Sequence, residues 1–169
     1  MSKLEVFFDY TCPHCVRGHE YLTELLPRFP GLEIEWRPCE AHPRPEQHGR
    51  HSDLCARGMY LARELGSDLT EYHKRMYRAA QSRQTDIEDI HVIAEVMDGF
   101  LDGDALRAAL SGGKYENELL ENNRLVWDEY DCSAVPSFRA EGALLKSQLG
   151  VGVSKEHLAA FIERHYKSK

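Results

Sequence analysis

The sequence predicts an α/β chain ordered strand, helix, strand, then helix after helix, then strand, strand, helix. Three patterns carry that expectation. Between Leu4 and Arg37 two strand-like apolar runs flank one helix-periodic run. From Ser52 to about Asp131 apolar residues recur at helical spacing in five stretches, with no strand among them. From Ser137 a short hairpin pattern leads into a last amphipathic helix. The 169 residues suffice for one domain with a real core, or one core with an embedded subdomain. The expected division is an α/β core of residues 1–51 and 132–169, with residues 52–131 as a helical insertion.

The first strand runs from about Leu4 to Asp9, with Leu4, Val6 and Phe8 on one face and Phe7 on the other, so it reads as central. A helix begins at Pro13, carries Val16, Leu22, Leu25 and Leu26 inward, and closes at Leu26 because Pro27 disfavours helical geometry before it. After the Pro30-Gly31 turn, Leu32, Ile34 and Trp36 alternate with Glu33, Glu35 and Arg37 as a half-buried strand. Two strands joined through a helix are expected to be parallel, with a right-handed crossover. Residues 38–51 read as a loop rich in Pro and His.

In the helical run, Gly66 is the expected stop of the first helix and Ser67 the cap of the second. Thr85 with Glu88 reads as a capping box for the third. Gly112-Gly113 ends the fourth, and Leu119, Asn123, Val126, Trp127 and Tyr130 mark the fifth. Ser137–Ala140 then pairs with Ala143–Gln148 across a Glu141-Gly142 turn, and Ser154 caps the final helix.

A net charge of -7 argues against nucleic-acid or anionic-membrane partners. No apolar run approaches the roughly 20 residues needed to cross a bilayer. Met1-Ser2-Lys3 leads straight into the first strand without a signal-peptide pattern, so a cytoplasmic location is expected. Five cysteines are too few for a disulfide scaffold, and their odd number leaves at least one unpaired in a monomer.

Cys12-Pro13-His14-Cys15 carries the chemistry. It stands where the first strand hands over to a helix. A thiolate at Cys12 would lie over the helix N-terminus, where unpaired N–H groups favour negative charge. Pro13 suits the first helical position, and a protonated His14 would add a cation beside the sulfur. The alternative for His14 is an exposed side chain without effect on Cys12. Cys15 is placed one turn on to close a disulfide or resolve a mixed one.

With Cys-x-x-Cys after the first strand and Val135-Pro136 before the third, the chain resembles a thioredoxin-like fold with an inserted helical subdomain, the DsbA-like class. The intervening Pro13-His14 pair is that of DsbA itself. Phe8-Asp9-Tyr10-Thr11-Cys12-Pro13-His14-Cys15 and Ala134-Val135-Pro136-Ser137-Phe138 look more like the cytoplasmic FrnE-like relatives. The resemblance implies a cis Pro136 facing the dithiol, with the Val135 backbone offering strand-type hydrogen bonds to an extended substrate. It implies a thiol–disulfide oxidoreductase with Cys12 attacking and Cys15 resolving, acting on protein or small-molecule disulfides and thiols. No cofactor is implied beyond that cysteine pair. The alternatives are a glutathione-dependent transferase or isomerase of the kappa and hydroxychromene-carboxylate isomerase type, and a zinc- or partner-binding redox sensor. Those glutathione-dependent relatives generally have serine where Cys12 stands. DsbA carries a glutamate six positions before its first active cysteine, where this chain has Val6. The group serving Cys15 as proton carrier is therefore open among Glu5, Asp9, Glu35 and water.

Other residues support two readings each. Cys39, His42, His51 and Cys55 have the number and types of a closed zinc site, with His48 between them, but not a standard spacing. The plainer reading is a Pro-rich loop with two unpaired thiols, and a Cys39–Cys55 disulfide is a third; no metal ligand is assigned. Cys132 either approaches the active face or packs at a helix end. His73 and His91 read as core histidines. Asp9 and Tyr10 are candidates for the rim of the site, Tyr10 as a substrate contact. Tyr77, Trp127 and Tyr130 line a groove or simply pack.

Overall fold

The computed structural model describes residues 2–168; Met1, which entered the localisation reading, lies outside the described residues. Four strands, β1 (Lys3–Phe8), β2 (Glu33–Pro38), β3 (Ser137–Ala140) and β4 (Ala143–Leu145), form one sheet in the order β2-β1-β3-β4. β1 pairs parallel with β2, setting Val6 opposite Trp36, and antiparallel with β3, setting Val6 opposite Phe138. Its central place explains why Leu4, Val6, Phe7 and Phe8 are all buried. Helix α1 (Pro13–Leu25) makes the parallel crossover and tightens into a 3-10 turn at Leu26–Arg28, around Pro27.

Between β2 and β3 lie α2 (Asp53–Glu64), α3 (Leu69–Gln81), α4 (Ile90–Val96), α5 (Gly103–Ser111) and α6 (Glu116–Asn123). A final helix, α7 (Lys155–His165), packs beside α1, its N-terminus closed by Ser154 Oγ accepting from His157 N at 3.1 Å. The hairpin turn is made by Glu141 and Gly142, both at positive φ (49° and 84°), as a tight two-residue connection needs.

Several details depart from the sequence reading. Ser67 does not cap α3: its N–H closes α2 onto Ala62 O, and Asp68 takes the cap, accepting from Thr70 N at 2.9 Å. Thr85 and Glu88 form no capping box. They belong to a turn in which Asp86 accepts from Glu88 N, and α4 starts later, with Asp89 accepting from His91 N at 2.8 Å. His91 is exposed rather than core. β4 stops at Leu145, because Ser147 is drawn away to brace the Pro136 turn and Gln148 bridges Gly152 instead. The last helical stretch is α6 followed by a π-helical segment, Arg124–Glu129, which sets Trp127 in place.

One continuous apolar core joins sheet and helices. At its centre Phe8, Tyr10, Trp36, Tyr72, His73 and Tyr77 pack ring against ring, with Trp36 and His73 only 4.4 Å apart between centroids. Each such pair contributes about 0.5–1.5 kcal/mol beyond its buried area. Arg57, also buried, donates to the carbonyls of Leu110 (2.8 Å) and Lys114 (2.9 Å) and so satisfies the open end of α5.

Candidate active site

The turn from β1 into α1 is built around Asp9. Its Oδ1 accepts from Thr11 N (2.9 Å) and Thr11 Oγ1 (2.8 Å), and its Oδ2 accepts from Ala41 N (2.8 Å) on the segment after β2. Its carboxylate therefore ties together the segments leaving the C-terminal ends of β1 and β2, and at 1 % exposure it lies beneath the site and not at the rim. The backbone then places Cys12 as the residue before α1, extended (φ -87°, ψ 119°), with its carbonyl accepting from Cys15 N at 3.1 Å. Pro13 is the first helical residue, as its missing N–H allows.

The two sulfurs differ in surroundings. Cys12 is half-buried, and its Sγ lies 3.5 Å from Val135 O. Cys15 is 1 % exposed, and its Sγ accepts from Asp9 N at 3.4 Å. All five cysteines are free. The Cys15 thiol alongside holds the Cys12 pKa down, burial opposes it, and the N–H groups of Cys15 and His14 lower it further, leaving about 7. Burial, followed by the Cys12 sulfur, pushes the Cys15 thiol well above its ordinary value. His14 contributes its backbone N–H to Cys12; its ring rests beneath Gly152, where a Cβ would come within 3.3 Å of the imidazole.

The Val135–Pro136 peptide is cis. The turn is held by Ser137 Oγ donating to Ala134 O at 2.9 Å and by Ser147 Oγ donating to Pro136 O. Gly18, one turn into α1 beyond Cys15, lets the helix lie against this turn: a Cβ there would sit 2.8 Å from Pro136 Cγ. Cys12, His14 and Val135 share a cavity of about 450 Å³ with Glu40, Trp127 and Leu149.

Tyr10 is not a substrate contact. It is 0 % exposed, with its hydroxyl 2.9 Å from His73 Nδ1 and its carbonyl accepting from Gln81 Nε2 at 2.8 Å, so α3 roofs it over. Of the three carboxylates considered for Cys15, Asp9 alone stands at the dithiol. Glu5 pairs with Arg37 (2.9 Å) and Arg139 (2.7 Å), and Glu35 pairs with Lys3 and Arg63. Cys132 packs at a helix end, at 6 % exposure, and Tyr77 is likewise buried. Trp127 does line the site.

The Cys39, His42, His51 and Cys55 side chains do not converge. Cys39 Sγ donates to Phe8 O at 3.4 Å, Cys55 is fully buried in α2, His42 pairs with Glu46 and His51 Nδ1 lies 2.9 Å from His42 O. Among the described residues no three His, Cys, Asp or Glu side chains are grouped to hold a metal ion.

Sequence reasoning did not single out Glu40, Pro43 and Leu149 of the cavity wall. A signal for Glu40 existed: parallel strands gather their functional groups at their C-terminal ends, and Glu40 follows β2 as Cys12 follows β1.

With this architecture in view, comparison with known proteins places the chain. The DSBA-like thioredoxin domain model matches residues 3–160, and the chain belongs to that family. A Bacillus subtilis protein, YwbO, is 22 % identical over 92 % of this chain and 95 % of its own length. Among solved structures, a probable DsbA oxidoreductase from Streptomyces coelicolor superposes with a TM-score of 0.79 at 17 % identity, covering 100 % of this chain and 92 % of the other. A thioredoxin-like oxidoreductase from Silicibacter pomeroyi gives 0.70 at 21 % identity, covering 99 % and 88 %. At these identities the structural likenesses speak to the fold, which is thioredoxin-like.

Proposed function

We propose that the chain is a thiol–disulfide oxidoreductase in which Cys12 attacks and Cys15 resolves. The observation carrying this is the split between the two sulfurs: a half-exposed thiol with a pKa of about 7 beside a buried one held protonated. At neutral pH about half of Cys12 is thiolate, against about one part in a hundred for a thiol at the ordinary 9.0. Cys12 Sγ attacks one sulfur of a substrate disulfide, forming a mixed disulfide and releasing the other sulfur as thiolate. Cys15 then loses its proton and attacks Cys12 Sγ, releasing the second substrate thiol and closing Cys12–Cys15. The Val135 N–H, which makes no hydrogen bond among the described residues, is available to an extended substrate beside Cys12. His14 lends its backbone N–H and Pro13 starts the helix; the Pro136 turn, resting on Gly18, holds the Val135 backbone beside Cys12.

Family membership and the oxidoreductases among its structural relatives support this reading. In the cytoplasm, where thiols are kept reduced, net flow would run from the Cys12–Cys15 dithiol to substrate disulfides. Cys12→Ser abolishes dithiothreitol-dependent insulin reduction, and Cys15→Ser accumulates mixed disulfides visible by non-reducing mass analysis. Full activity in Cys12→Ser protein refutes the mechanism.

A further inference from the structure

The cavity at Cys12 has a buried carboxylate in its wall and, among the described residues, no cation within ion-pair distance of it. Glu40 is 5 % exposed. Its N–H donates to Asn123 Oδ1 (2.8 Å), its Oε2 accepts from Asn123 Nδ2 (2.9 Å), and its carbonyl accepts from Trp127 Nε1 (2.9 Å). Those bonds fix the side chain without neutralising it.

The cations nearby are spent elsewhere. Arg44 reaches Asp53 (3.3 Å) and Glu88 (3.4 Å), His51 lies 3.9 Å from Glu88, and His42 pairs with Glu46 (2.9 Å). Among the described residues no Lys, Arg or His comes within ion-pair distance of Glu40; His51 and Arg44 act on it only from farther off, while Asp53 and Asp9 add like charge. Burial accordingly pushes its carboxyl upward.

A buried carboxylate is normally paired, since its desolvation is offset only by a counter-charge. Glu40 lines the cavity that holds the Cys12 sulfur, itself anionic when reactive, as well as a neighbouring one shared with Arg44 and Arg57. The rest of that wall is largely apolar, from Trp127, Pro43, Ala134, Val135 and Leu149, with His14 and His42 as its other titratable groups.

We infer that this cavity selects disulfides carrying an ammonium or guanidinium close to the exchanging sulfur, with Glu40 supplying the counter-charge. The inference rests on the disulfide-exchange reading above. In the exchange, two electrons pass from the Cys12 and Cys15 thiols to the substrate disulfide. The substrate leaves as two thiols, their protons supplied through solvent from Cys12 and Cys15, which end as a disulfide. The cationic group takes no part in the chemistry; it raises the fraction of encounters that seat a sulfur at Cys12.

The test is single-turnover oxidation of the reduced protein by three small disulfides: cystamine (dicationic), hydroxyethyl disulfide (neutral) and dithiodipropionate (dianionic). Normalising to the neutral compound removes general effects on the site. In Glu40→Gln, which keeps the acceptor for Asn123, the cystamine ratio falls about tenfold and the dithiodipropionate ratio rises. Peptide disulfides with lysine or glutamate beside the cysteine separate two sources of the cation. A fall confined to cystamine assigns small amine disulfides, and a fall shared by the lysine peptide extends the assignment to polypeptides. Should the Gln variant fail to fold, Glu40→Ala serves the same comparison. Ratios unchanged across the three charges overturn the inference while leaving disulfide exchange standing. No oxidation by any of them overturns the proposed function itself.

Discussion

At Cys12 two influences pull in opposite directions, and their balance sets reactivity. Desolvation works against the thiolate, while the Cys15 thiol and the N–H groups of Cys15 and His14 work for it and prevail. Only the thiolate alkylates, so its reaction with iodoacetamide should have a midpoint at about pH 7 and slow about tenfold per unit below it. Cys15→Ala removes the largest stabilising influence and shifts that midpoint up towards 9.0. His14→Ala keeps both the backbone N–H and Cys15, so it shifts the midpoint less; the reverse order would restore the imidazole to the role the sequence suggested. The sequence made the sulfurs legible through their spacing. It did not reveal which part of His14 acts, because a backbone N–H is carried by every residue but proline. Tyr10 misled for a related reason: adjacency in sequence to a reactive cysteine says nothing about α3 covering one neighbour while leaving the other open.

The element that matters most to the site is α1, whose N-terminus carries the dithiol and whose second turn rests on Pro136 through Gly18. Alanine at a helix interior normally stabilises by about 1 kcal/mol relative to glycine. Here the new methyl meets a proline ring 2.8 Å away, and overpacking of that kind costs about 1–3 kcal/mol. Overpacking wins, so Gly18→Ala should destabilise the protein by about 1 kcal/mol in urea unfolding and slow exchange by moving Cys12 from Val135. Unchanged or higher stability with unchanged exchange would show that the contact is slack. Periodicity and end signals sufficed to read strands β1 to β3 and the helices, including the close of α1 before Pro27 and the Ser154 cap, though not the turn of 3-10 helix at Leu26–Arg28. They failed where two residues competed for one task. Ser67 gave way to Asp68, and β4 was shortened by the need of the Pro136 turn for Ser147.

Across the whole molecule, the fold brings distant segments to one point. Cys12 comes from the end of β1, Glu40 from beyond β2, Trp127 from the π-helical segment, Val135 from the turn before β3 and Leu149 from the loop before α7. The dithiol and Val135-Pro136 were legible because each is a short motif. The cavity was not, since its wall is assembled from residues with no shared pattern in the chain. The Cys12 pKa of about 7 stabilises the dithiol to the same degree as the attacking cysteine of thioredoxin is stabilised, so the couple should lie close to thioredoxin in potential. Equilibration in glutathione redox buffers, with acid quenching and mass analysis of the Cys12–Cys15 peptide, measures this directly. The account predicts a two-electron couple with a potential of about -270 mV. If no Cys12–Cys15 disulfide forms at any buffer ratio, the two sulfurs are not a redox pair and the account is wrong.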